Sequence, residues 1–139
     1  MRKLAVVPAI AALALTGCGS KSFESQANGI CKDFNKQQKA LGTPKSVAQL
    51  KSFAPKVKNA FQASLTKLEA LKPPKSKAAD YQALLTSGKA QLALFDQLVA
   101  AATSGDTTTV QSISAQGSAN NKTSNAIAKR IGLNDCAKG

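Results

Sequence analysis

The chain has 139 residues, 43% of them hydrophobic, which suits a single domain with one core. It contains no histidine, so the commonest general base and the commonest zinc or iron ligand are missing. The formal charge is +12, but Arg2 and Arg130 are the only arginines and aromatic residues make up 4%, which leaves little for gripping phosphates or stacking on nucleic-acid bases.

Met1-Arg2-Lys3 is a short basic start, and Leu4 to Leu15 is apolar apart from Pro8. A basic start, an apolar run and then small residues make a secretory signal. A membrane-spanning helix needs about 20 apolar residues, so this shorter run reads as a removable signal peptide. Leu15-Thr16-Gly17-Cys18 closes it. These four residues, with the signal before them, resemble the lipobox of bacterial lipoproteins. The resemblance implies that residues 1–17 are removed and that Cys18 becomes the mature N-terminus. It also implies a diacylglyceryl group on Cys18 and anchoring to the outer face of the cell membrane. Residues 18–22 are then a lipidated tether and residues 23–139 a helical domain. Four extended residues, Gly19 to Ser22, reach at most ~14 Å, which keeps the domain near the bilayer.

Beyond the tether the apolar spacing is helical throughout. Ser22 is an N-cap candidate, and Phe23, Ala27, Ile30, Cys31, Phe34 and Leu41 share one face of a first helix. Gly42-Thr43-Pro44 breaks it. A second helix opens at Ser46, where Ser46 and Gln49 form a capping-box pattern. Pro55 lies inside its stripe and predicts a kink, or a fresh start near that residue. Pro73-Pro74 ends the segment. A third helix begins around Ser76 and carries the most regular stripe, from Tyr81 through Leu92 and Phe95 to Ala102. Gly105 and Asp106 serve as a left-handed C-terminal cap and the next N-cap, which makes a tight helical hairpin. The fourth helix alternates by three and four residues through Val110, Ile113, Gly117, Asn120, Ser124, Ile127 and Ile131. Gly132 and Leu133 end it in a Schellman-type pattern. The fold class is therefore all-α, an antiparallel four-helix bundle.

With Cys18 assigned to the lipid, Cys31 and Cys136 remain, an even pair in an exported chain, and a disulfide between them is the default. The assignment also leaves no thiols for a metal site. No two carboxylates fall at helical spacing, and there is no phosphate loop or nucleophile elbow. The expected protein is not an enzyme and needs no cofactor or metal.

Two candidate sites remain. Gly117, Asn120 and Ser124 leave small or polar positions inside the fourth helix's seam. They are candidates for ligand binding, against the alternative of close helix packing. Lys67, Lys72, Lys75 and Lys77 crowd the Pro73-Pro74 turn and are candidates for contact with an anionic surface, against the alternative of a solvated turn. Residues 32–89 hold twelve lysines against Asp33, Glu69 and Asp80, so the positive charge is concentrated in that half. "LEALKPP", "FDQLVAAATSGD" and "RIGLNDC" resemble segments of small helical lipoproteins and secreted proteins of Gram-positive bacteria. That resemblance implies a similar fold and transfers no activity. The function expected is that of a membrane-anchored, extracytoplasmic binding or accessory protein of the cell envelope. Its partners would be the membrane and an anionic lipid, envelope polymer or protein, with no nucleic acid. The alternative is a small-molecule binder with a pocket in the bundle interior.

Overall fold

The computed structural model describes residues 21–138. The expected signal peptide, the lipobox-like residues and Cys18 lie outside the described residues. Four helices account for most of the rest: α1 (Phe23–Leu41), α2 (Val47–Glu69), α3 (Ala78–Ser104) and α4 (Thr107–Arg130). Short 3-10 turns occur at Lys75–Lys77 and Cys136–Lys138, and no strand occurs among the described residues.

The helix ends follow from local chemistry. Orphan N–H groups at an N-terminus seek side-chain acceptors. Ser22 Oγ accepts from the Ser25 N–H at 3.1 Å, and Asp106 Oδ1 from the Thr109 N–H at 2.9 Å. Ser46 Oγ accepts from the Gln49 N–H at 3.2 Å. Gln49 Oε1 reaches back to the Lys45 N–H at 2.8 Å, one residue earlier than a standard capping box would place it. Gly132 adopts φ 83° and permits a Schellman ending, in which Leu133 N–H donates to Ala128 O at 2.8 Å and Gly132 N–H to Lys129 O at 3.1 Å. Gly105, at φ 77°, plays the same part for α3.

Pro55 does not split α2, which runs as one helix from Val47 to Glu69. Pro55 and Lys51 are both exposed. The carbonyl that loses its donor therefore lies on the exposed side of the helix, where solvent can satisfy it.

Paired residues fix the directions. Lys58 meets Asp96 and Glu69 meets Lys89 between α2 and α3, while Asp80 meets Arg130 between α3 and α4. Gln91 also meets Asn120 between α3 and α4, and Phe34 meets Phe61 between α1 and α2 while Phe23 shares the core with Leu65, so in each pairing the numbers run in opposite senses and successive helices are antiparallel. The start of α1, the turn from α2 to α3 and the end of α4 therefore share one end of the bundle.

That end holds the core. Phe23, Ala27, Leu65, Tyr81, Leu85, Ala128, Ile131 and Leu133 form one buried cluster. Phe23 and Tyr81 meet edge to face at 4.8 Å, and Tyr81 Oη donates to Leu68 O at 2.6 Å. Every buried side-chain nitrogen and oxygen among the described residues has a partner.

The bundle is closed unevenly. Successive helices pack on each other, but no Cα of α1 lies within 8 Å of one in α4. The C-terminal segment bridges them instead. Cys31 and Cys136 form a disulfide across 105 residues, with Cα atoms 4.9 Å apart. One turn on either side of Cys31, Asn28 Nδ2 donates to Gly132 O at 3.0 Å and Asn35 Nδ2 to Asp135 O at 2.9 Å. Asn28 Oδ1 also accepts from the Asp135 N–H at 2.8 Å. Asn28, Cys31 and Asn35 thus form a single stripe of α1 that clamps the strap. Above the strap, α1 and α4 stand apart.

Candidate functional site

The gap leaves a chamber of about 290 Å³ among the four helices. Its floor is the top of the core, since Leu65 and Leu85 belong to both. The chain has five phenylalanines, and Phe34, Phe53, Phe61 and Phe95 all line the chamber. None of these four is fully buried. Only Phe23 lies in the packed core. Phe34 and Phe61 face each other across the α1–α2 contact with centroids 5.3 Å apart. Aromatic rings usually carry a core's largest apolar areas. Here most of them surround a space instead.

A second, more open hollow of about 880 Å³ runs along α3 and α4. Gln91, Phe95, Asn121 and Asn125 border both hollows. On α4 the outer trough extends from Ile113 to Lys129, which corresponds to about 24 Å of helix. Lys122 and Lys129 stand along it. Both are exposed, and neither side chain has an ion pair or hydrogen bond among the described residues. Lys58 borders the chamber but is held by Asp96 at 2.7 Å. No carboxylate lines either hollow.

The small and polar positions of α4 form the back wall of this space. Asn120 Nδ2 donates to Ser87 O at 3.1 Å and to Gln91 Oε1 at 2.9 Å, and its Oδ1 accepts from Ser87 Oγ at 2.6 Å. Ser87 Oγ also bonds Ser124. Gly117 is buried, and a Cβ there would come within 3.3 Å of Gln91 Nε2. Close packing of α3 on α4 therefore explains most of this stripe. Ser124 nonetheless lines the chamber and Gly117 the trough, whereas Asn120 lines neither. Gln91, Asn121 and Asn125, which sequence reasoning did not single out, are the carboxamides at the junction of the two hollows. The signal for Asn121 and Asn125 was faint: each sits one residue from the seam, on the side that α1 leaves uncovered.

The lysine cluster divides. Lys67, Lys72 and Lys75 are exposed at the end of the bundle where α1 begins. Lys77 is half-buried and belongs to the fold. Its Nζ donates to Glu24 Oε1 at 2.6 Å and to Ile131 O at 2.9 Å, tying the first turn of α1 to the last carbonyls of α4. The Lys77 hydrogen bond holds the Glu24 carboxyl below its ordinary range. The Arg130 hydrogen bond does the same for Asp80.

No protein-family model matches the chain, and neither the curated proteins nor the solved structures yield a match to it. No helix among the described residues is long and apolar enough to cross a membrane. No cluster of three or more potential metal-binding side chains occurs among them.

Proposed function

We propose that this protein is a lipid-anchored, extracytoplasmic binding protein whose chamber takes a small apolar ligand. The observation that carries the reading is the chamber itself, lined by four of the five phenylalanines. Binding sites for small molecules are concave and mostly apolar, with a few placed polar groups. The chamber has that character, with the carboxamides at its mouth supplying the polar part. The anchor rests on Leu15-Thr16-Gly17-Cys18 and the signal before it. The reading assigns no catalytic step.

Anchoring would set the orientation. The tether enters α1 at the core end, where Lys21, Lys67, Lys72 and Lys75 are exposed. Basic side chains beside an anchor favour anionic headgroups by about 1 kcal/mol each near the surface. The core end would then face the bilayer, and the lysine set would serve the partner contact expected of it.

The test is titration with an environment-sensitive apolar dye, using the full chain with Cys18→Ser to prevent acylation. Saturable one-to-one binding is expected, and it should be lost in Leu92→Trp, which fills the chamber from α3. A melt confirms that the variant folds, since overpacking costs ~1–3 kcal/mol. Absence of binding, or equal binding by Leu92→Trp, would count against the chamber as a site.

A further inference from the structure

We infer that the ligand is a single-chain amphiphile with an anionic head. Its tail would occupy the phenylalanine-lined chamber, and its head would lie in the trough beside Lys122 and Lys129. The inference rests on the binding reading above and adds the chemical class of the ligand.

Three observations converge on it. The two hollows share Gln91, Phe95, Asn121 and Asn125 in their linings and so lie side by side, yet the rest of their linings differ. The chamber is aromatic and aliphatic, while the α4 wall of the trough is mainly serine, asparagine and lysine. Leu94, Phe95 and Leu98 make the α3 wall of the trough apolar, so a ligand reaching from the chamber into the trough meets polar and charged groups on the α4 side alone. Its polar end meets positive charge, because Lys122 and Lys129 are the trough's ionisable residues and no carboxylate offsets them.

Spacing favours a mobile head over a rigid fit. Lys122 and Lys129 are two helical turns apart, about 10 Å along the axis. Lysine is a flexible point charge, without the planar fork that arginine offers a carboxylate or phosphate. Two such charges would follow an anionic head along the trough without fixing its orientation. Asn121 and Asn125 lie on the same stripe and add carboxamide hydrogen-bonding groups where head meets tail.

Binding would be measured calorimetrically with four ten-carbon probes below their micelle concentrations: decyl phosphate, decanoate, decanol and decyltrimethylammonium. The full chain with Cys18→Ser is used at low and at moderate salt. The anionic probes should bind about tenfold more tightly than decanol at low salt, with the advantage shrinking as salt rises. Decyltrimethylammonium should bind most weakly. The double variant Lys122→Ala, Lys129→Ala should bring the anionic probes down to the affinity of decanol and leave decanol unchanged. The double variant Lys67→Ala, Lys75→Ala, which removes charge from the other basic surface, should change nothing. Equal affinity for all heads would overturn the inference while leaving the chamber reading intact. So would an anionic preference that is lost in the Lys67, Lys75 variant and kept in the Lys122, Lys129 variant. Absence of binding by any probe would overturn both.

Discussion

Single side chains in this protein often carry a structural duty that their type does not announce. Lys77 lies in a run of exposed lysines, yet it spends its charge on Glu24 and on a helix-end carbonyl. Asn28 and Asn35 look like ordinary surface residues of α1, yet they hold the C-terminal strap. Tyr81 is the only tyrosine and is 2% exposed. Burial, with a smaller effect from the Glu69 charge, pushes its phenol up from 10.0 to about 12. The raised value means that folding favours the protonated phenol. Its contribution is complete below the unfolded value near 10 and is lost as the pH rises towards 12. Tyr81 is the chain's one phenol, so the long-wavelength absorbance of tyrosinate reports on it alone. A titration midpoint near 12, coincident with loss of helical circular dichroism, is expected. A midpoint near 10 in a still-folded protein would show that the phenol is not buried as described. Glu24, Asp80 and Asp106 act at the opposite end of the scale. Their lowered carboxyls contribute at neutral pH and lose that contribution as acid titrates them in the folded state.

At the scale of elements, periodicity and capping made most of the fold legible. Ser22, Ser46 and Asp106 are N-caps, and Gly105 and Gly132 take positive φ, as their positions between stripes implied. The third helix starts slightly later than Ser76 implied, because Lys75–Lys77 forms a tighter 3-10 turn before Ala78. Of the two outcomes that Pro55 allowed, a fresh helix start does not occur, because a proline's cost depends on which way the freed carbonyl faces, and that is a property of the packed helix. Restoring the missing bond should help: Pro55→Ala is expected to stabilise the fold by ~1–3 kcal/mol in chemical denaturation. An unchanged or lowered midpoint would mean that the proline's stiffness outweighs its lost hydrogen bond. The fourth helix was read correctly as a seam. The use of its polar centre was not decided by the sequence, because Asn120 turned towards Ser87 and Gln91 has the same spacing as Asn120 turned towards a ligand.

The whole molecule has two unlike ends. One is packed, basic and holds the start of α1; above it, the space between α1 and α4 stays open. Sequence pattern placed Phe34, Phe61 and Phe95 on inward faces, but periodicity shows only which way a residue turns. It does not show whether the opposing helix arrives, and here α1 and α4 do not meet. The chamber is a consequence of that missing contact, so no local signal reported it. The disulfide and the Asn28 and Asn35 hydrogen bonds tie α1 to the strap at the chamber's lower edge. A cross-link spanning 105 residues constrains the unfolded chain strongly, and for such loops the entropy model gives ~4.7 kcal/mol. Replacing Cys31 and Cys136 by serine should cost ~2–5 kcal/mol in urea denaturation and weaken binding in the chamber. An unaltered midpoint would place the closure in Asn28 and Asn35 alone.

The claim that the chamber is a binding site can be tested residue by residue with fluorine-labelled phenylalanine. Five resonances are available, one for each ring. Titration with decanol in the Cys18→Ser chain should move those of Phe34, Phe53, Phe61 and Phe95 with one common saturation curve. The resonance of Phe23, sealed in the core, should stay fixed. Four stationary chamber signals, or an equal shift of all five, would contradict the account.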